Sequence, residues 1–316
     1  MPLKIALTGA TGFIGRHVVD RLQEEKHSVA VLARDVARAD FPKNVVVVQG
    51  DLQNEQALQS LTQNADVCIH IAGLISAVRK QDYVTANEQG TRRLVNVAVE
   101  SGVKRFVHVS SMSAREPQLS AYGASKLAGE RIVEEFADRL SSVILRPPAV
   151  YGPGDKATLP LLKSLTHAVA VLPSRATARF SLLHVHDLAR IIVEAASSTR
   201  SGIVELGDGA PRGHDWRELA GVVAHLENRN ITPMFLPKFI PFGIAMVAET
   251  LAKVKGQASM ISRDKINELY HSDWVERGEG WPLKGPTSLA QGLAETLAWY
   301  RREGWISPGT KSRTAT

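Results

Sequence analysis

Short apolar runs alternate with longer segments that keep one apolar face through about residue 146. The short runs are rich in β-branched residues and lack polar alternation, which predicts strands buried on both faces at 3–8, 28–33, 45–49, 66–71, 104–110 and 142–146. The longer segments predict helices at 13–25, 55–63, 83–101 and 122–140. Such alternation is typical of an α/β protein, so we expect a Rossmann-type doubly wound parallel sheet with helices on both faces.

The pattern changes after Arg146, where prolines and glycines crowd residues 147–160 and predict a loop across the sheet edge. Beyond it we predict strands at 180–185 and 202–206 and helices at 158–169, 187–199, 215–227, 241–254 and 288–303. We therefore expect a dinucleotide-binding domain over 1–170 and a smaller, mostly helical substrate-binding region over 171–316. Residues 180–206 could instead be interleaved with the sheet of the first domain. The small polar residues at 307–316 predict a frayed tail.

The first predicted strand leads directly into three glycines spaced three residues apart, at the start of the first predicted helix. Glycine permits a tight turn, close approach of the backbone to a pyrophosphate, and close packing of helix on strand. The free N–H groups of the helix end suit phosphate oxygens. An ordinary tight turn is the alternative, but the position between a strand and a helix favours a dinucleotide site. The candidate cofactor-binding residues here are Gly9, Thr11, Gly12, Phe13, Ile14 and Gly15.

The second predicted strand ends at Arg34, where an acidic residue would favour NAD. The planar guanidinium suits the 2′-phosphate of NADP, so we expect NADP as the preferred cofactor and NAD as the other possibility. Arg16 and Arg38 could reach the same region, but a solvated surface role is favoured for both.

The ends of the next two predicted strands carry further candidate cofactor contacts. Asp51 would accept from the adenine amino group, with Leu52 against the ring, although Asp51 could instead cap the following helix. Ala72 and Gly73 follow the fourth strand, and their small size would let the cofactor approach the backbone.

Composition and charge narrow the function classes. Of 316 residues, 44% are apolar and 22% are charged, as in soluble globular proteins, and the net charge of +6 is scattered. A mildly basic enzyme surface is therefore favoured over nucleic-acid binding. Cys68, the one cysteine, lies in an apolar run and is expected to be an inert buried thiol. No charged segment followed by an apolar one opens the chain, and the apolar run 239–248 is too short to span a membrane, so we expect a cytoplasmic protein.

The candidate catalytic residues follow the fifth predicted strand. Ser110 and Ser111 end it, and Tyr122 and Lys126 lie one helical turn apart at the start of an amphipathic helix. An ammonium and a cationic nicotinamide would both favour the phenolate of Tyr122, and a serine at the strand end would orient a substrate hydroxyl or carbonyl. The spacing of Tyr and Lys also occurs by chance, and a half-buried packing tyrosine is the alternative.

The motifs together resemble the extended short-chain dehydrogenase/reductase family, the NAD-dependent epimerase/dehydratase group. The resemblance covers roughly residues 3–206 and is carried by 8–15, Asp51, Asn87, Ser110, Ser111, Tyr122, Lys126, 145–154 and 184–189.

The resemblance implies a role for each matching residue. Tyr122 would be the catalytic acid/base, Lys126 would fix the ribose and tune Tyr122, and Ser111 would polarise the substrate oxygen. Asn87 would support the site, and Pro147 and Val150 would wall the nicotinamide pocket. It also implies a homodimer through the helices at 83–101 and 122–140.

Departures from the family pattern shape the expected function. Epimerases often carry an arginine for the substrate diphosphate where this chain has Phe180, and strand alternation would turn Arg179 to the other face. Met112 and Ser113 replace the acidic pair of dehydratases, and Ser110 or Ser113 could share the role of Ser111.

We therefore expect an NAD(P)-dependent oxidoreductase that moves a hydride between the nicotinamide and a secondary alcohol or ketone of a small-molecule substrate. Alternatives are a nucleotide-sugar epimerase that retains its cofactor, and a non-catalytic dinucleotide-binding scaffold.

His184 and His186 lie on one side of a predicted strand and could suggest a metal site. No third ligand cluster appears nearby in the sequence, and Asp187 is placed to cap a helix. We therefore expect structural histidines and no metal.

Overall fold

The structure is a computed structural model that describes residues 2–37, 39–254, 259 and 262–307. The strands are β1 (Lys4–Thr8), β2 (Ser28–Ala33), β3 (Val46–Gln49), β4 (Val67–His70), β5 (Arg105–Val109), β6 (Ser141–Arg146), β7 (Ala149–Tyr151), β8 (Val169–Leu172), β9 (Arg179–Phe180), β10 (Leu182–His184), β11 (Gly202–Glu205), β12 (Thr232–Phe235) and β13 (Asp273–Trp274). The helices are α1 (Phe13–Glu24), α2 (Glu55–Thr62), α3 (Lys80–Tyr83), α4 (Gly90–Glu100), α5 (Ala121–Glu134), α6 (Leu159–Ser164), α7 (Val185–Ser197), α8 (Trp216–Leu226), α9 (Phe239–Val254), α10 (Arg263–Leu269) and α11 (Leu289–Arg302).

Seven strands form one parallel sheet in the order β11-β6-β5-β4-β1-β2-β3, which confirms the predicted fold class. From β1 the chain builds outward through β2 and β3, and it then returns to place β4 on the other side of β1. This reversal of strand order opens a crevice beyond the carboxyl ends of β1 and β4, where Thr8 and His70 stand in register. The fold thus predicts its ligand site at the residues that follow these two.

Two apolar layers cover the sheet. One packs α1 and α7 on one face, and the other packs α2, α4 and α5 on the opposite face. Both layers bury their strands, so β4 and β5 are buried at every position and show no polar alternation. Cys68 on β4 is fully buried, and burial raises the pKa of its thiol, as expected for an inert cysteine.

The strand β11 pairs with β6 at the edge of the same sheet, so the chain returns to it from beyond residue 170. A third apolar cluster joins α6, α8 and α11 with β8, and a fourth joins α9 with α10. The division of the chain at residue 170 stays a prediction. Among the described helices, none combines the length and apolar character that crossing a membrane requires.

Several predicted elements differ from the structure. The helix predicted at 83–101 is a short α3, a π-helical segment Val84–Gln89 and then α4. The helix predicted at 158–169 ends at Ser164, and Val169 starts a strand. The sequence analysis missed α10 and the strands β7, β8, β12 and β13, which pair only in two-stranded sheets. Of the predicted tail at 307–316, residues 308–316 lie outside the described residues.

Candidate active site

The glycine loop after β1 has no room for side chains. Gly9 has a φ of +80°, and a Cβ atom there would lie 2.6 Å from the backbone nitrogen of Ala72. A Cβ atom at Gly15 would lie 2.1 Å from the carbonyl oxygen of Gly9. These two glycines therefore set the close approach of α1, β1 and the end of β4.

The amino end of α1 is left open toward the crevice. Its N-cap, Gly12, has no side chain to cap the helix, and the first turn contains no acidic residue. The first bond along the helix runs from the amide of Arg16 to the carbonyl of Gly12, so the amides of Phe13 and Ile14 precede the bonded turn. Thr11 is exposed beside them. This arrangement suits the phosphates of a dinucleotide.

The end of β4 meets the π-helical segment through Asn87. The buried Asn87 amide accepts from the amide of Leu74 at 2.7 Å and donates to the carbonyl of Leu74 at 3.0 Å. It also donates to the Ser125 hydroxyl at 2.9 Å. A Cβ atom at Gly73 would lie 3.0 Å from Asn87 and 3.8 Å from the Lys126 ammonium. The structure thus brings Gly73, Asn87 and Lys126 together.

Ser111 lies beside Tyr122, close enough for its side chain to affect the tyrosine. Ser111 begins the turn Met112–Arg115 after β5, and Tyr122 lies in the first turn of α5, which Ser120 caps. Burial raises the pKa of Tyr122 to about 12 and outweighs the opposite effect of the Ser111 side chain. The protein groups alone therefore do not lower the pKa of Tyr122, contrary to the expectation from the sequence. A lowered pKa would need the cationic nicotinamide.

Lys126 lies one turn after Tyr122 and is almost fully buried. Its ammonium donates to the carbonyl of Val109 at 2.8 Å, and burial lowers its pKa to about 8. The carboxylate of Glu130, one further turn along α5, acts against burial and raises the pKa of Lys126. The lysine is thus held at the end of β5, on the same helical face as Tyr122.

The neighbouring serine has a different partner. Ser110 donates its hydroxyl to Glu130, a fully buried carboxylate that also accepts two hydrogen bonds from Arg146. Arg146 in turn faces Glu205, which pairs with Arg115. Ser110 is therefore engaged behind the site, and Ser111 is the serine beside Tyr122.

This buried charge network is a feature that the sequence analysis missed. It joins α5, β6 and β11, and Arg115 extends it to the carbonyls of Asp273 and Val275. One signal could have found it, because Glu130 falls eight residues after Tyr122, on the face that also carries Lys126.

Two buried histidines lie under the site. His70 contacts the Thr8 hydroxyl at 2.7 Å and the Thr91 hydroxyl at 3.0 Å, and burial lowers its pKa to about 3. The ring of His108 lies 5.3 Å from that of His70, and neither of its nitrogens has a hydrogen-bond partner among the described residues. Both histidines are therefore neutral, with Lys126 disfavouring their charge.

The helix α10 covers the amino end of α5. Asp264 accepts from the backbone amide of Ala121 at 2.8 Å, and Glu268 accepts from the Ser120 hydroxyl. The charge of Glu268 contributes to the raised pKa of Tyr122. The C-terminal part of the chain thus reaches the residue next to Tyr122, which the sequence analysis did not predict.

The predicted adenine end of the site lies at the ends of β2 and β3. Arg34 directly follows β2 and is exposed, as is Arg16, whereas Arg38 lies outside the described residues. Asp51 accepts from the amide of Gln53 at 2.8 Å. The cap of α2 is Asn54, so the alternative role of Asp51 as a helix cap is wrong.

Leu52 packs beside the start of α4, where a Cβ atom at Gly90 would lie 2.8 Å from its side chain. On the other side of the site, the buried Pro147 accepts from the amide of Met112 at 2.9 Å. Val150 is half-buried in β7, which pairs with β10. The segment carrying Pro147 and Val150 is therefore fixed next to Ser111.

The position where epimerases often carry an arginine is apolar here. Phe180 is buried, with its ring 4.8 Å from that of Trp216. Arg179 contacts Asp215 at the start of α8 at 3.2 Å, and its orientation to the other face stays a prediction. Arg175 is exposed.

His184 and His186 gain a neighbour that the sequence analysis did not foresee. Glu295 on α11 lies 3.7 Å from His184 and 3.8 Å from His186, and three potential ligand atoms fall within 4.8 Å of one another. The prediction that no third potential metal ligand lies near these histidines is therefore wrong. Because His186 and Glu295 are exposed, an ion pair in solvent also accounts for the cluster, and the absence of a metal stays a prediction.

Comparison with known proteins adds to this geometry. Residues 5–207 match the sequence model of the NAD dependent epimerase/dehydratase family. The ceramide reductase of Caulobacter vibrioides is 36% identical over 308 residues, which cover 96% of this chain and 96% of that protein. The UDP-glucose 4-epimerase of Vibrio cholerae is 29% identical over 326 residues, which cover 94% and 95%. Among solved structures, MoeE5 in complex with UDP-glucuronic acid and NAD has a TM-score of 0.66 at 25% identity, covering 95% of this chain and 99% of that one.

Proposed function

The chain belongs to the NAD dependent epimerase/dehydratase family, and we propose that it transfers a hydride between a nicotinamide cofactor and a secondary alcohol or ketone. The placement of Ser111 beside Tyr122, with Lys126 one turn further along α5, carries this proposal. The glycine loop fits the cofactor, because Gly9 and Gly15 leave no side chain between the backbone and a pyrophosphate.

In the reducing direction, the bound nicotinamide supplies the hydride to the carbonyl carbon. The Tyr122 hydroxyl would donate its proton to the carbonyl oxygen, so the products would be the alcohol, the oxidised nicotinamide and a phenolate that recovers a proton from solvent. A pKa of about 12 keeps Tyr122 protonated at neutral pH, which suits a proton donor. Ser111 would donate a hydrogen bond to the same oxygen, and Lys126 would hold the ribose hydroxyls and stabilise the phenolate.

For the substrate, we propose the ketone that corresponds to the secondary alcohol of a ceramide-type lipid. The relative with 36% identity is a ceramide reductase, and the match covers almost the whole of both chains. The apolar Phe180 supports this choice over a nucleotide sugar, because it removes the arginine that would hold a diphosphate. Cofactor that copurifies and does not exchange would instead support the epimerase alternative.

The test compares Tyr122→Phe with Tyr83→Phe. The two rings lie 6.3 Å apart, so the second substitution removes a hydroxyl beside the site but not the proposed proton donor. We expect Tyr122→Phe to lower kcat about 100-fold to 10,000-fold on a keto-ceramide, and Tyr83→Phe to leave it within severalfold. Equal activity of wild type and Tyr122→Phe would overturn the assignment.

We also propose NADPH as the preferred cofactor, because Arg34 is exposed where β2 ends. Loss of a charge-assisted bond in Arg34→Ala should raise the KM for NADPH about tenfold to a hundredfold and leave that for NADH nearly unchanged. Arg16→Ala, which removes an exposed arginine nearby, is the control. Equal or tighter binding of NADH by the wild type would refute the preference.

A homodimer through α4 and α5 stays a proposal, as does a cytoplasmic location. The outer surface of these two helices carries the exposed ion pair between Arg92 and Glu135. Size-exclusion chromatography with light scattering tests the dimer, and a monomer at micromolar concentration would reject it.

A further inference from the structure

The helix α9 is apolar on its outer face as well as its inner one. Its inner face packs on α10 through the fully buried Ala245. Its outer face exposes Ile240, Ile244, Val247 and Leu251, which are 38%, 55%, 58% and 58% accessible. These four are spaced by four, three and four residues, so they form one stripe along the helix. Packing within the described chain does not account for this stripe.

The charges around α9 are arranged at its ends. Glu249 is the one ionisable residue within 239–252, and it accepts from the amide and the Nε of Arg263 at 2.6 and 2.9 Å. Lys238 precedes the helix and is exposed. An apolar stripe with an exposed lysine at its start is typical of a helix that lies in a membrane surface, with the ammonium group among anionic headgroups.

The length of α9 fits that placement and excludes a span. Its 16 residues extend for about 24 Å at 1.5 Å per residue, which is less than the hydrocarbon thickness of a bilayer.

The stripe lies close to the candidate active site. The helix α9 packs on α10 through Ile266 and Tyr270, and α10 contacts Ala121, the residue before Tyr122. One layer of helix therefore separates the exposed stripe from the amino end of α5.

We propose that the outer face of α9 binds the surface of an anionic phospholipid bilayer. The lipid substrate rests on the proposed function, and this contact would let it pass from the bilayer to Tyr122 without crossing water. The chain's net charge of +6 complements an anionic surface. The binding itself does not depend on catalysis, so it can be tested separately.

The test is flotation of the full chain with vesicles of phosphatidylethanolamine and phosphatidylglycerol. We expect the wild type to float with these vesicles and to float less with pure phosphatidylcholine. The double variant Ile244→Asn/Val247→Asn should lower the vesicle partition coefficient about tenfold or more, because two apolar side chains no longer enter the bilayer. The control is Val46→Asn, which changes a 61% exposed valine on β3. Matching circular dichroism and melting temperatures would show that all variants fold.

Two results would overturn the proposal. One is equal flotation of wild type and the double variant. The other is a wild-type oligomer that the double variant converts to a monomer while neither floats, which would identify a second copy of the chain as the occupant of the stripe.

Activity separates this proposal from the proposed function. With a soluble short-chain keto-amide the double variant should keep the wild-type rate, whereas with the keto-lipid in vesicles it should be slower. Flotation without reduction of any keto-lipid would reject the function and keep the docking. Reduction without flotation would reject the docking alone.

Discussion

Two arginine–carboxylate pairs contact α5 with the same two-bond geometry and differ in burial. Arg146 donates to Glu130 at 2.9 and 2.6 Å, and Arg92 donates to Glu135 at 2.6 and 3.1 Å. The side chains of the first pair are 13% and 0% accessible, and those of the second are 45% and 52% accessible. Comparing them isolates what burial does to an ion pair.

Arg146→Met should be the most costly single change, because it leaves Glu130 buried with the Ser110 hydroxyl as its remaining side-chain donor among the described residues. Breaking a buried pair in this way costs about 3–5 kcal/mol of unfolding free energy. Glu130→Gln should cost less, about 1–3 kcal/mol, because Arg146 keeps Glu205 at 3.7 Å. Arg92→Met should cost little, since water and salt screen an exposed pair.

The assay is urea unfolding of the four variants of each pair, analysed as a double-mutant cycle with the m-values compared. We expect the Arg146–Glu130 coupling to exceed the Arg92–Glu135 coupling several-fold, and the double variant to be more stable than the Arg146→Met single variant. If Arg146→Met costs no more than Arg92→Met, burial does not govern these pairs and the reasoning fails.

Three further outcomes follow from the site. Gly15→Ala should abolish cofactor binding or folding, because its Cβ would meet the carbonyl of Gly9 at 2.1 Å; cofactor titration and circular dichroism check this, and normal binding contradicts it. Burial lowers the pKa of Lys126 to about 8 from 10.5, so the unfolded chain binds more protons between these values and stability rises with pH there. Lys126→Met should therefore raise the free energy of unfolding by on the order of 3 kcal/mol at pH 7. Urea unfolding should show that this gain shrinks toward pH 10, and a gain independent of pH would contradict the lowered pKa as its cause. Dialysis against a chelator should leave the activity unchanged. If the activity is instead lost and zinc restores it, and if Glu295→Gln does not show this response, then His184 and His186 are metal ligands.

The central sheet could be predicted because its strands are buried on both faces. The run at β2 is apolar at every position after Ser28, which leaves little choice of structure. The strand β13 could not be found in this way, since its two residues are fixed by pairing with β9, which lies far away along the chain. The π-helical segment was also hidden, because residues 84–89 contain no glycine or proline that would mark a break in the helix.

The same distinction applies to the candidate site. Ser111, Tyr122 and Lys126 lie near one another in sequence, after a strand and at a helix start, and the structure brings them together. The carboxylates of Asp264 and Glu268 contact the start of α5 from more than 140 residues away. No local pattern marks such a contact, because in the sequence each of these carboxylates looks like an ordinary surface charge.

The apolar segment at α9 shows what sequence and structure each contribute. The sequence analysis interpreted 239–248 as a short apolar run, and on its own such a run does not tell an inner face from an outer one. Packing of Ala245 against α10 fixes the inner face, and Ile244, Val247 and Leu251, which lie one, two and six residues away, then face solvent. Polar residues there would cost the fold nothing, yet Ile244, Val247 and Leu251 are apolar. Neither burial nor pairing within the described chain explains them, and this unexplained apolar face is the observation from which we infer a bilayer partner.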